Sequence, residues 1–457
     1  MERASESGRR PQPHLAMASP VRFVACAIAA ALSRWPWLVE GSRAPPVVPV
    51  PAGSGDVESR QGPWARLAAL RSGRAVNSSG RLAHRLRRSV LHTMRPPQVA
   101  SSWGGGPTTL WRLGAPPVRT LKGHGLVVDL KFFPSGSRLV TASADGSGAI
   151  WDAASGRELR SFLHGYAGRT LFEVQVFPGG DRFVTLGSDL NAIVAGSPSA
   201  IVWSLKAEVL QRLGHQAARA GEHRAVRVFP QGERLLTGVS DGPEDFAVVW
   251  HAHGEGSALH RLRQPGRSIR ALGVSPCGAK VVTAGAGAIF VWDAAAGFLE
   301  REIHAQAWLP AGVVVSRAAA AVAVSSPDRG SVLIWDPLGN LSRSLPARGV
   351  VALGALAGDQ LIVSGNAGVT LWDAASGQRL ADLSASGGLL QVAGSLDGDV
   401  VAACSGARDV DQRTVVWDAS TGRVLRVIRG QAQPAPQHLH GVSIPPCRVA
   451  VSSRPRF

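Results

Sequence analysis

The stretch LKFFPSGSRLVTASADGSGAIWDAASG, residues 130–156, decides the fold. An apolar run ends at Phe133 and meets Pro134-Ser135-Gly136. Proline at the second position and glycine at the fourth suit a type I reverse turn. A second apolar run, Leu139 to Ser143, follows at once. Asp145-Gly146 then makes another turn, and a third run ends at Trp151. Asp152-Ala153-Ala154-Ser155-Gly156 reverses the chain again, with Gly156 free to take positive φ. Short apolar runs separated by tight turns predict consecutive antiparallel strands.

The pattern recurs. WDAASG stands at 151–156 and 372–377, WDAAAG at 292–297 and WDASTG at 417–422. Tryptophans preceded by apolar or β-branched residues fall at Trp111, Trp151, Trp203, Trp250, Trp292, Trp335, Trp372 and Trp417, with spacings of 40, 52, 47, 42, 43, 37 and 45. A period near 40–45 residues is that of four strands per propeller blade. The strand-turn-strand unit before each Trp also repeats: VQVFPGGDRFVTLGS (174–188), VRVFPQGERLLTGVS (226–240) and LGVSPCGAKVVTAG (272–285). Copies at 313–326 and 353–365 lose the proline but keep both apolar runs. Runs such as Leu361-Ile362-Val363 are apolar without alternation, which predicts strands buried on both faces.

The pattern resembles the WD-repeat β-propeller family over about 99–455. The fullest copy, 121–152, has Gly123-His124, the Asp145-Gly146 turn and Trp151-Asp152. The resemblance implies an all-β, closed propeller of four-stranded antiparallel blades. It also implies a buried hydrogen-bonded network of His124, Ser143, Asp145 and Trp151, since a buried carboxylate needs donors. Other copies are incomplete: Asn366 replaces the acid six residues before Trp372, Asp411 keeps it before Trp417, and the Trp292 copy has none.

Seven Trps each follow a strand-turn-strand unit, whereas Trp111 has only a poor one before it. At the far end, 440–453 offers strands with no Trp after them. Pairing 440–453 with the strands around 108–122 would make an eighth blade and close the ring, removing exposed sheet edges. Eight blades are therefore favoured. Seven blades over 125–428, or a chain truncated before its end, are the alternatives.

The domain reading is an Arg-rich, low-acid, largely disordered extension over 1–95 and a propeller over 96–457. Residues 1–95 hold fifteen Arg, no Lys and five acids, so ten of the seventeen excess positive charges lie there. Only four Lys occur in the chain, which suggests a coding bias toward Arg as much as selection for binding. The apolar run 23–33 is too short to span a bilayer, but 17–39 reads as a targeting segment. An accidental apolar patch is the competing reading. Residues 78–92 could form one short basic helix or a linker. Localisation is cytoplasmic or nuclear by default, with organellar or secretory targeting open. NSS (77–79) and NLS (340–342) are glycosylation sequons only in a secreted chain.

Cys26, Cys277, Cys404 and Cys447 have no CxxC spacing and no His cluster nearby. They read as isolated small hydrophobes, with neither zinc site nor disulfide framework. The chain has no phosphate loop, HExxH or GxSxG, so no catalytic, cofactor-binding or metal residues are predicted. The family resemblance implies a non-enzymatic protein-protein interaction scaffold whose partners are other proteins. The long loops 187–199, 240–246, 405–412 and 429–440 are the first candidates for contact. Binding of nucleic acid or an anionic membrane through 1–95 is an alternative resting on charge alone. A quinone-dependent dehydrogenase propeller is a remote one: its turn motif resembles DASTGRVL (418–425), but Arg423 to Arg426 holds no Trp to dock on the next blade.

Overall fold

The computed structural model describes residues 97–453 apart from connecting segments, the longest being 189–199, 215–221, 305–311 and 431–437. The chain divides into two compact units, 1–76 and 77–457, and all described residues belong to the second. The expectations for 1–95, including 17–39 and 78–92, lie outside the described residues.

Eight four-stranded antiparallel sheets form the blades of a propeller. Blade 1 consists of Val127–Phe132, Arg138–Ser143, Ser147–Asp152 and Glu158–Leu163, from the innermost strand outward. Blades 2 to 7 repeat this order, beginning at Thr170, Glu222, Ile269, Gly312, Ala352 and Leu389. Blade 8 is made from both ends of the propeller. Cys447–Val451 is its innermost strand and pairs with Gln98–Trp103, followed by Thr109–Arg112 and Pro117–Thr120. Cys447–Val451 also packs against the innermost strands of blades 7 and 1, which closes the ring. The closing element is thus a single C-terminal strand. It lies against 98–103, upstream of the 108–122 region that the sequence pattern suggests. Val442–Ser443 pairs instead with His438–Leu439.

The second strand of each blade is buried on both faces. All of Val400–Ser405 is buried, as is Val281 through Gly285. Each core cluster joins two neighbouring blades: Phe162 and Phe183, from blades 1 and 2, both lie 5–7 Å from ring centroids of their cluster, with Phe162 at 5.1 Å from Trp203. Packing between sheets therefore supplies the core that no blade could bury alone. A register irregularity stands beside every signature Trp, between the third and fourth strands of each of the eight blades. Such bulges strengthen local twist, and each directs the chain into its outermost strand.

Candidate functional site

The signature Trps are structural, and their partners can be named. Trp151 Nε1 donates to Thr141 Oγ1 at 2.9 Å. The same bond joins Trp203 to Thr185 at 2.8 Å, Trp250 to Thr237 at 2.8 Å and Trp292 to Thr283 at 3.1 Å. In blade 8 the acceptor is Ser101, 3.2 Å from Trp111. The register places all five hydroxyls two residues beyond the residue paired with the Trp. Blades 5, 6 and 7 have Val324, Val363 and Ala403 there. Trp372 turns to Thr370 on its own strand, 2.8 Å away, while Trp417 Nε1 is buried without a hydrogen-bond partner among the described residues.

Of the residues expected in the buried network, His124 lies outside the described residues. Ser143 Oγ donates to the Leu126 carbonyl at 3.2 Å. Asp145 is exposed, and its Oδ1 accepts from Ser147 N at 2.8 Å and from Ser147 Oγ at 2.6 Å. The indole of Trp151 is directed to Thr141. Asn366 and Asp411 lie outside the described residues.

Where an Asp follows the Trp, it holds the turn to the outermost strand. Asp152 Oδ1 accepts from Ser155 N and Oγ at 2.7 and 2.6 Å. Asp373 does the same with Ser376, and Asp418 with Ser420 and Thr421. The Ser376 N–H and hydroxyl hold the Asp373 carboxyl below its ordinary range. The Ser420 hydroxyl, with Thr421, does so for Asp418 despite partial burial. The turn ends on a glycine of positive φ: +67° at Gly156, +73° at Gly297, +72° at Gly377 and +68° at Gly422. Each such turn rests on the outermost strand of the preceding blade. A Cβ at Gly297 would lie 2.5 Å from His260, and one at Gly377 2.7 Å from Arg343. WDxxxG is thus both a hairpin and a docking knob between blades.

A second contact between blades comes from Phe-Pro-x-Gly-x-Arg. The Arg182 guanidinium lies 4.5 Å from the Phe177 ring and donates to the Ala252 and Gly232 carbonyls of blade 3, at 2.7 and 3.2 Å. Arg234 repeats this one blade on: 4.5 Å from Phe229, 2.6 Å to Ala294 O and 3.1 Å to Gly278 O in blade 4. Burial lowers the Arg234 pKa, opposed by Glu233 and Asp293. The motif is visible in the sequence, but its Arg has no role there until blades are set side by side.

The innermost strands carry a third contact. Asp129 Oδ2 accepts from Val174 N at 3.0 Å, Glu173 Oε2 from Val226 N at 3.1 Å, and Gln391 Oε1 from Val449 N at 2.9 Å. Each clasps the next blade. Burial of Asp129 opposes its ionisation, but Lys131, Arg448 and the Val174 N–H prevail and lower its pKa.

The cysteine reading is corrected. Cys404 in blade 7 and Cys447 in the ring-closing strand form a disulfide, with Cα atoms 6.2 Å apart and both residues buried. Their separation of 43 residues carries no signal, because ring closure is what brings them together. Cys277 is exposed, with its Sγ 3.4 Å from Ser275 Oγ. Among the described residues, no three His, Cys, Asp or Glu gather as metal ligands.

What remains for function is surface. The outermost strands expose Leu163, Val209, Leu210, Leu299, Leu341, Leu380, Val424, Leu425 and Val427, together with many Arg. The four long loops proposed as contacts lie largely outside the described residues. The exception is 244–246, whose Asp245 is buried and accepts from Ile269 N in blade 4 at 2.8 Å.

Comparison with known proteins agrees with this architecture. The family "WD domain, G-beta repeat" matches residues 115–152. A guanine nucleotide-binding protein subunit beta of Oryza sativa subsp. japonica is 31% identical over 141 residues, covering 28% of this chain and 33% of that protein. The chain thus spans about a third of the length of the curated relative it matches. Among solved structures, the computationally designed Ika8 protein is similar with a TM-score of 0.53 and 22% identity, over 68% of this chain and 92% of that one. Dihydro-heme d1 dehydrogenase NirN is similar with a TM-score of 0.58 and 15% identity, over 73% of each chain. These two likenesses concern the fold alone. The recurring Trp-Asp turns and the matched repeat at 115–152 make the chain similar to the WD-repeat family, and its fold is an eight-bladed β-propeller.

Proposed function

We propose that this protein is a non-enzymatic scaffold that binds other proteins through the exposed surface of its propeller. The observation that carries the reading is where its polar groups are used. The hydroxyls and turn carboxylates described above are engaged within their own blades, and the inner-strand carboxylates hold neighbouring blades together. The variable chemistry left at the surface is apolar residues and Arg on the outermost strands, which suits docking of macromolecules. A guanine nucleotide-binding protein subunit beta, to which part of the chain is similar, supports an assembly role by its name.

The test is affinity purification of the full chain from native extract, at two salt concentrations and with and without nuclease. Retention of one defined protein set in all four conditions is the expected result. Capture that vanishes at high salt or after nuclease would assign binding to charge and overturn the scaffold reading.

A further inference from the structure

Each blade ends in an outermost strand with an open edge. Such edges invite pairing with another chain, and proteins blunt them with charges of both signs, with proline or by shortness. Most edges here are blunted. Blade 4 alternates Glu300, Arg301 and Glu302 along Leu299–His304, and blade 6 pairs Arg379 with Asp382. Blade 5 ends its strand on Pro346, and blade 8 has four residues beginning at Pro117. Blade 1 carries Glu158, blade 2 has only five residues after Glu208, and blade 3 exposes no large apolar side chain on Ala258–Gln264.

Blade 7 differs. Its outermost strand, Val424–Arg429 (VLRVIR), lacks acid and proline, as do those of blades 2 and 3, but it combines this with six residues and the most exposed large apolar side chains of any outermost strand described. It exposes Val424 at 44%, Leu425 at 44% and Val427 at 50%, three of the ten exposed large apolar residues among those described. Gly430 N donates to Gln412 O at 2.7 Å, and the register continues through Ile428↔Thr414 and Arg426↔Val416. Hydrogen-bonded pairs alternate in an antiparallel ladder, so Ile428 and Arg426 bond inward. Val427 and Arg429 therefore present N–H and C=O to the open edge. Side chains alternate as well. Ile428 packs with Trp103, and Arg426 donates to Arg112 O at 3.1 Å, its guanidinium 5.1 Å from the Trp111 ring. Leu425, Val427 and Arg429 occupy the other, exposed face, and Arg423 is exposed just before the strand.

We propose that Val424–Arg429 is a docking edge that takes up an extended acidic segment of a partner protein as a fifth strand of blade 7. Main-chain bonds would give affinity and alternate side chains specificity, as in strand addition generally. Charge selects the occupant. Antiparallel pairing with a second copy would bring two Arg423–Arg429 sets together, and like charges facing across a ladder are destabilising. The chain's own 1–95, with fifteen Arg against five acids, and its Arg454-Pro455-Arg456 end repel the strand in the same way. A segment alternating acidic and apolar residues meets both features. The inference rests on the scaffold reading.

The probe is a fluorescein-labelled seven-residue peptide alternating Glu and Val, with its Lys-for-Glu counterpart as control, titrated into the full chain by anisotropy. The Glu peptide is expected to bind, more weakly as salt rises, and to slow amide exchange at Val427 and Arg429. Val427→Pro removes an outward N–H but no bond to the neighbouring strand, and should weaken binding at least about tenfold. Arg429→Glu keeps the backbone intact and should also weaken it. Failure of the Glu peptide to bind, equal binding of the Lys peptide, or indifference to both variants would overturn the assignment. Self-association of the unliganded chain that V427P abolishes would make a second copy the occupant and also overturn it. Proteins that still co-purify when the peptide fails leave the scaffold reading standing, whereas peptide binding with nothing co-purifying does the reverse.

Discussion

At the scale of single residues, the hydroxyl two positions past the Trp partner is the most telling detail. A buried indole N–H without an acceptor costs about 1–3 kcal/mol. Thr237→Val should therefore lower stability to denaturant by about that much, since it leaves Trp250 unsatisfied with little change of volume. The reciprocal change, Ala403→Ser, supplies the acceptor that Trp417 lacks and should raise the denaturant midpoint. A destabilising A403S would show that the site has no room for the hydroxyl. The turn carboxylates predict a pH response. Asp373 and Asp418 have folded pKa values held below their unfolded ones. Their contribution is present above the unfolded value and is lost as pH falls through the folded one. Thermal stability should accordingly drop in the acid range, below about pH 4, and less so in the double variant Asp373→Asn, Asp418→Asn. An equal acid response in that variant would assign the effect to other carboxylates. Every Trp in this set was legible in the sequence, because its spacing repeats. The Thr partners were not, because Thr in a strand is ordinary until the register aligns it with an indole. The Asp145 turn shows the reverse: the family pattern suggested burial, while the carboxylate lies exposed and bonds Ser147.

At the scale of elements, the reading of turns was the most secure part of the sequence, since Pro and Gly at fixed positions have few uses other than a reversal. What a turn does after it forms was hidden, because its partners come from the adjacent blade. Arg182 and Arg234 illustrate this. Each sits beside its own turn in sequence but bonds carbonyls 44–70 residues away. Arg234→Lys keeps the charge but loses the planar fork and its stacking on Phe229, so it is not conservative here. It should cost about 1–3 kcal/mol, and exchange of the amides near Ala294 and Gly278 in blade 4 should quicken. A change confined to blade 3 would mean that the guanidinium is not a tie between blades. The same reasoning explains the C-terminal strand. A short apolar run such as Cys447–Val451 is easily recognised as a strand, but the choice between 98–103 and 108–122 as its partner depends on the closure of the whole ring.

At the scale of the whole molecule, stability depends on one seam. Seven blades are continuous in the chain, and only blade 8 joins the two ends of the propeller through the ladder between Gln98–Trp103 and Cys447–Val451. Loss of that strand would expose the inner edge of blade 8 and one face of blades 7 and 1, so opening the ring exposes core. The Cys404–Cys447 bond ties this strand to the second strand of blade 7, beside Trp103 and Ile428 in one apolar cluster. It acts on the strand whose pairing with Gln98–Trp103 spans the largest sequence separation among the blade ladders, which loop-closure entropy most disfavours. In the chain-entropy account, a loop of 43 residues gives up to about 4 kcal/mol at 25 °C. Cys447→Ser should therefore lower the free energy of unfolding by up to that amount. Amide exchange should rise first in 98–103 and 447–451, ahead of the other blades. Full reduction of the wild-type chain should reproduce the effect and leave C447S unchanged. If reduction destabilises both chains equally, or if exchange rises uniformly around the ring, the seam is not the weak point and the disulfide does not close it. Burial of both sulfurs also predicts slow reduction while the ring is shut, because a thiolate must reach them through the seam. The rate of reduction then measures how often the ring opens, and any ligand that bridges blades 7 and 8 should slow it.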